Sequence, residues 1–473
     1  MAAHVVTSLT APDTKITRQA DAYISRQHNF LASYNSLEHF ICDMDEDENL
    51  AANVGQALAH HMLNLRTALA RLFWRNDIYI GRSVLDEFVF QIAKRGRSPI
   101  LPLVLDEFSK TAAGLPGFVI YPLHGFGLAR PPIMTSDPKL KSLYSFKKQG
   151  LLFTAQSNDL NAVYHRLNQM VDQLQIQNSI DFTDLQHLHS MGVLKWLTRN
   201  PLVMVKVASH TGEYYENQFV YTLKLRLGAT LAVMLWALAE DRNKHPSEME
   251  TTAKINNWQT LDFHHYLIGE TRTDPKEPIE LRRVPMNLAP LDLAQLSDVS
   301  VSLNTRTLQD PWMRKRSNSL QSALQTVERA YMSHVNLTSG QASLRRFYAR
   351  LVKSLDWYRR SFGSRQTQHE RAVSLAVAFE TMLTDFYAAG TADRLERRVG
   401  ICLKGLMGVA DYKSSVKAMV YLRNEILHTG QSTDESEIVK AQAAFALCFI
   451  KITSLLAQLP SRSQHPIKDM LND

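Results

Sequence analysis

The sequence predicts a mainly α protein in which a C-terminal bundle of about five helices follows a larger, mostly α region with minor β. Three observations carry that prediction. Apolar residues recur at helical spacing over Leu50–Phe73, Asp159–Leu174 and Tyr214–Leu238. The chain beyond Ser343 divides into five further helical runs, opened by capping residues and closed by glycines. Extended-chain signals are short: the β-branched and aromatic run Phe118–Tyr121 lies among the turn-marking Pro102, Pro116, Pro122, Pro131 and Pro132.

Composition fits this class. The 473 residues carry 53 Lys+Arg against 46 Asp+Glu, a formal charge of +7, with 45% hydrophobic and 21% charged residues. Such a chain can bury large cores and is not a disordered polymer. Cys42, Cys402 and Cys448 are too few and too scattered for a disulfide framework or a closed zinc site, so a reducing compartment is expected. The longest apolar stretch, Ala229–Ala239, is far shorter than the about 20 residues a membrane-spanning helix needs, and reads as a core helix. No basic segment followed by an apolar core opens the chain, so no signal peptide, no membrane partner and a cytoplasmic location are expected.

Taken in order, Leu50–Phe73 and Asp159–Leu174 read as amphipathic helices. Tyr214–Leu238 becomes apolar nearly all round toward its end, which predicts a helix at the centre of the first domain. Between Thr271 and Trp312 the helical period is lost, and Pro275, Pro278, Pro285, Pro290 and Pro311 punctuate the chain. The expected organisation is a domain over 1–280, a Pro-containing linker over 281–318 and a helical domain over 319–473. There is no internal repeat and no low-complexity tract.

In the last third, Ser343–Phe362 puts Leu344, Tyr348, Leu351, Leu355, Tyr358 and Phe362 on one stripe, and Arg346, Arg350, Lys353, Trp357 and Arg360 on another. A second helix is expected over Arg371–Tyr387. Thr391 can cap a third, over Ala392–Met407, closed by Gly408. The fourth runs from about Tyr412 to His428, with Gly430 at its stop. Ser432-Thr-Asp-Glu435 has capping-box spacing and opens a fifth, through Ile438, Ala441, Phe445, Phe449 and Leu456. Five helices with short connections make a bundle.

The end of the fourth helix holds the residues best suited to chemistry. Asn424 and His428, four apart, share a face, and the long side chain of Arg423 can reach the same anion. Two readings are open: a phosphate-handling cluster, or a polar helix terminus where His428 favours the C-terminal dipole. The spacing also occurs at Arg329 and His334, but without the following Asn or the helix-ending glycine. Glu380 interrupts an otherwise apolar helix; it either pairs with Arg423 across the bundle or lies exposed at a helix edge.

The five-helix pattern with Arg-Asn-x-x-x-His in its fourth helix resembles the HEPN superfamily. Arg371–Gly430 resembles the Apea-like branch, through Ala376-Val-Ala-Phe-Glu-Thr-Met-Leu383 and the Leu-Arg-Asn-x-x-x-His-x-Gly ending at Leu422–Gly430. The resemblance covers the C-terminal block alone. It implies a HEPN-like bundle acting as a metal-independent endoribonuclease with no cofactor, working as a homodimer whose Arg and His side chains face one composite cleft. It further implies that Arg423 binds the scissile phosphate, Asn424 orients the group and His428 assists attack by the ribose 2′-hydroxyl. Antiviral defence or a toxin-like system is the biological role so implied, with residues 1–280 sensing a trigger or regulatory partner. The residue types suit the reaction: imidazole accepts a proton near neutrality, and guanidinium supplies a fixed bidentate cation for the phosphorane. A non-catalytic HEPN module for dimerisation or RNA binding is the alternative.

Met313–Arg371 holds twelve basic residues against three acidic ones, interleaved with aromatic rings. That mixture suits single-stranded RNA, with cations for phosphates and rings for unstacked bases. Arg346, Arg350, Lys353, Trp357 and Arg360 are the expected RNA-binding stripe, with Trp357 as stacking platform; a solvated basic face is the other reading. Elsewhere the signals are weak. Asp43–Glu48 lacks the glycine and the final glutamate of a calcium loop, and His60-His61, His187, His189 and His264-His265 lack metal-helix spacing. No metal site is expected, and no Walker pattern or Gly-x-Ser-x-Gly elbow is present.

Overall fold

A computed structural model describes residues 11–75, 79–96, 99–109, 116–122, 126–129, 143–146, 151–154, 159–190, 194–200, 202–208, 210–211, 217–244, 265–272, 274–285, 301–304, 310–334, 342–363, 366–386, 389–426, 434–460 and 463–473. The protein is mainly α with an antiparallel sheet. The first helices are α1 (Ala11–Arg26), α2 (His28–Leu31), α3 (Leu37–Glu46), α4 (Glu48–Leu50), α5 (Gln56–Arg75), α6 (Arg82–Lys94) and α7 (Ile100–Ser109). The periodic run beginning at Leu50 is therefore interrupted: Ala51–Gly55 is a π-helical turn leading into α5. These helices enclose a core of their own, built on Ile24, Leu31, Phe40, Leu65, Leu69, Phe90 and Val104.

Among the described residues, one sheet has the strand order β4 (Leu143–Phe146), β5 (Leu151–Thr154), β6 (Leu202–Ala208), β2 (Pro116–Pro122), β8 (His265–Glu270), β9 (Glu280–Pro285), antiparallel throughout. Shorter parallel pairs join β1 (Tyr79–Ile80) to β7 (His210–Thr211) and β3 (Phe126–Ala129) to β10 (Val301–Asn304). The central strands are apolar on both faces, and the two-residue alternation explains why. Val119, Tyr121, Val203, Val205, Tyr266 and Ile268 join one core, while Phe118, Ile120, Met204 and Leu267 join another. The second core lies under α8 (Leu160–Gln173), α9 (Phe182–Ser190) and α10 (Trp196–Arg199), through Leu167, Met170, Leu185 and Trp196.

The first core is continuous with the C-terminal bundle. Its spine is α11 (Asn217–Lys244), where Leu231 through Ala239 are buried all round. The bundle comprises α12 (Pro311–His334), α13 (Ala342–Arg360), α14 (Gln368–Leu383), α15 (Thr391–Cys402), α16 (Val409–Ile426) and α17 (Glu435–Leu455), followed by α18 (Pro466–Leu471). Helix α11 packs against α12, α13 and α17, so one apolar cluster runs from Val119 in the sheet to Phe445 in α17, across the expected boundary. The expected linker also contains structure: β9 occupies residues 280–285, and α12 begins at Pro311. Polar ties reinforce α11. Thr222 accepts a 2.7 Å bond from Trp74 Nε1, and Arg226 pairs with Glu328 of α12 at 2.9 Å while donating to the Lys206 carbonyl of β6 at 2.6 Å.

The helix ends differ from the expected ones in detail. A full capping box, Thr367 with Glu370, starts α14 before Arg371. Gly390, at φ 71°, precedes α15, so Thr391 is its first helical residue rather than its cap. That helix stops at Cys402, and Gly405 and Gly408, both with positive φ, turn the chain into α16. Asp434, whose carboxylate accepts from the Ser436 amide, is the cap of α17; Ser432 lies outside the described residues. By length and composition α17 could cross a membrane, yet 72% of its apolar window is buried within the bundle.

Candidate functional site

Helix α16 buries Val416, Met419 and Val420, and Arg423 continues that stripe three residues on, at the last turn. Its guanidinium therefore leaves the core edge half-buried, with 24% of the side chain exposed. Glu380 arises the same way on α14, four residues after buried Ala376 and three before buried Leu383, with 19% exposed. The two meet where the helices pack: Arg423 Nη1 pairs with Glu380 Oε2. The other carboxylate oxygen, Oε1, is enclosed and has no hydrogen-bond partner among the described residues.

Arg350 of α13 does not join a basic surface; it turns into the C-terminal end of α14. Its Nε donates to the Thr381 carbonyl at 3.1 Å, and Nη1 donates to the Asp385 carbonyl at 3.4 Å. Nη2 donates to the Glu380 carbonyl at 3.3 Å, to the Thr384 carbonyl, and to Thr384 Oγ1 at 3.2 Å. These acceptors lie in the last turn of α14 and just beyond it, where the dipole favours cations; the Glu380 carbonyl accepts the Thr384 amide as well. Burial lowers the Arg350 pKa from its ordinary value; Asp385 opposes this, and repulsion from Arg346 and Arg398 adds to it. Arg398 of α15 serves the same helix end, donating to the Leu383 carbonyl at 2.6 Å and pairing with Asp473 at 2.6 Å.

The remaining stripe residues are dispersed along α13. Arg346 and Lys353 are exposed. Trp357 packs on the core with part of its ring outward, and the Arg360 guanidinium lies 4.6 Å from that ring's centroid. Such a stacked pair presents a ring and a cation side by side. Asn424 lies in the last turn of α16, and nothing is described of its side chain; His428 and Gly430 lie outside the described residues. Of the described residues in the sequence on either side, Arg423 pairs with Glu380, and Glu435 pairs with Arg371 at 2.9 Å. Of the weaker candidates, Arg329 is exposed on α12, and Asp47 of the acidic run caps α4.

Sequence reasoning missed the inward role of Arg350. One signal was available: α14 ends at Leu383 with no glycine until Gly390, so its last carbonyls needed side-chain donors. Among the described residues no three His, Cys, Asp or Glu side chains gather as a metal site. No protein-family model, curated protein or solved structure matches the chain.

Proposed function

We propose that the chain is a metal-independent endoribonuclease effector of the HEPN type, acting as a homodimer in the cytoplasm in bacterial antiviral defence or a toxin-like system. The observation that carries this reading is the ion pair between Arg423 and Glu380 at the end of α16. Within Leu422-Arg-Asn-x-x-x-His-x-Gly430, it gives the arginine a defined direction and keeps its charge at the end of the bundle. In this reading Arg423 binds the scissile phosphate, Asn424 orients it, and His428 takes the proton from the attacking 2′-hydroxyl. The 2′-oxygen bonds to phosphorus as the P–O5′ bond breaks, and the departing 5′-oxygen takes a proton from solvent water, leaving a 2′,3′-cyclic phosphate and a 5′-hydroxyl. Arg346, Lys353, Trp357 and Arg360 supply RNA contacts beside the site.

The same ion pair also favours a second reading, because Glu380 already neutralises the cation a phosphate would need: a HEPN module that dimerises or binds RNA without cutting it. One experiment separates the two. Wild type, Arg423→Ala and His428→Ala are incubated with RNA in EDTA, with and without infected-cell extract as trigger, and the product ends are analysed. Cyclic-phosphate ends from wild type alone support the nuclease. Cleavage equal in all three, or none by wild type under either condition, overturns it.

A further inference from the structure

We propose that Arg350 is a positioning residue for Arg423 and not a contact for RNA, an inference that rests on the nuclease reading. The geometry turns on Glu380, which two arginines grip at opposite ends. Arg350 holds its backbone carbonyl at 3.3 Å, and Arg423 holds its carboxylate. Arg350 also binds the carbonyls of Thr381, Thr384 and Asp385, so its planar fork fixes the last turn of α14 as a unit. Thr384 Oγ1 adds a 2.6 Å bond back to the Glu380 carbonyl. A side chain projecting from a turn held this way has little freedom of direction, and Glu380 passes that constraint to the guanidinium it pairs with. Geometry of this kind matters to rate, since displacement of a reacting group by about 1 Å costs on the order of a hundredfold.

Lysine cannot replace Arg350. It carries the same charge but presents a point cation on a flexible stem, with no fork to span several carbonyls. Arg350→Lys therefore keeps the field at the helix end and loses the clamp. If Arg350 instead met RNA, lysine would still serve a phosphate.

The test uses the full chain and a single-stranded oligoribonucleotide. For Arg350→Lys, kcat falls about tenfold or more, KM stays within about twofold, and the slope of log binding constant against log salt is unchanged. Thr384→Val, a milder change to the same turn, lowers kcat less and leaves KM alone. Arg346→Gln, on the exposed face, reduces the salt slope by about one phosphate contact. Wild-type kcat, KM and salt slope in Arg350→Lys, the result expected where lysine merely replaces one phosphate contact by another, overturn the proposal, as does wild-type kcat in both turn variants. If wild type cuts no RNA, the nuclease reading fails, and the clamp is judged by melting alone. Arg350→Lys and Arg423→Gln must then shift Tm non-additively in the double variant; additive shifts overturn it.

Discussion

Arg371 and Glu435 meet at 2.9 Å, and Arg371 Nε also donates to the Ser361 carbonyl at 2.9 Å. One guanidinium thus ties the end of α13, the start of α14 and the start of α17 where the chain leaves the motif segment. Its side chain is 14% exposed, so it depends on these acceptors more than a surface arginine does. Glu435→Ala is expected to lower unfolding stability by about 1–3 kcal/mol, the cost of leaving a half-buried polar group short of a partner. Glu435→Gln keeps an acceptor and is expected to cost less. Urea unfolding followed by circular dichroism measures both, and equal midpoints for the two variants would contradict the assignment.

Acid should loosen the far end of the bundle first. Asp473, 4% exposed, is held by Arg397 and Arg398. The Arg397 hydrogen bond, together with Arg398, lowers its carboxyl pKa below the usual range against an opposing burial cost. A depressed folded pKa contributes stability that is complete above the ordinary aspartate value of about 3.9 and disappears as pH falls through the lower folded value. The urea midpoint of wild type should therefore fall steeply below about pH 4, and Asp473→Asn should flatten that limb while lowering the midpoint at pH 7. A variant with the wild-type slope in acid would remove the role assigned to this pair.

The bundle was legible because its signals are local. Gly390 and Gly408, and the capping signal at Ser432–Glu435, bracket countable apolar stripes, although the caps themselves proved to be Thr367 with Glu370 and Asp434. The sheet was mostly illegible because its pairing is remote. Phe118–Tyr121 reads as a strand, but its neighbours, 202–208 and 265–270, come from stretches with no signal naming them as partners. The stripe from Arg346 to Arg360 shows where the same method stops. Spacing puts Arg350 beside Lys353 on one face, yet only the packing of α14 decides that one reaches carbonyls and the other reaches solvent. Glu380 was half legible: a charge inside an apolar helix calls for a partner or an exposed edge, and the pair with Arg423 is the first of those two alternatives.

Strand pairing yields a packing test remote from the site. Gly269 of β8 stands opposite Phe118 of β2, and a Cβ at position 269 would overlap the Phe118 ring, which is fully buried. Gly269→Ala is expected to destabilise by about 1–3 kcal/mol through overpacking. Phe118→Leu removes the ring and opens space, so the double variant should be more stable than the sum of the single losses implies. Additive losses in thermal melting would show that the ring is not what excludes the methyl group.

Glu380→Gln isolates charge from shape at the candidate site. Glutamine retains the side-chain length and one carbonyl acceptor, so the α14 turn held by Arg350 is expected to stay in place. What is lost is the anion that fixes Arg423, along with the buried carboxylate oxygen Oε1, which has no partner among the described residues. Loss of the ion pair favours unfolding, while conversion of Oε1 to an uncharged amide relieves part of the burial cost, so stability should change by less than about 1 kcal/mol. Activity should respond more. A guanidinium no longer directed by a carboxylate spends less time aimed at the scissile phosphate, and kcat is expected to fall about tenfold or more with KM little changed. RNA binding gives the complementary measure, because removal of a negative charge beside Arg423 should strengthen it slightly at low salt. Full kcat with unchanged stability would mean that Glu380 does no more than fill the edge of the bundle.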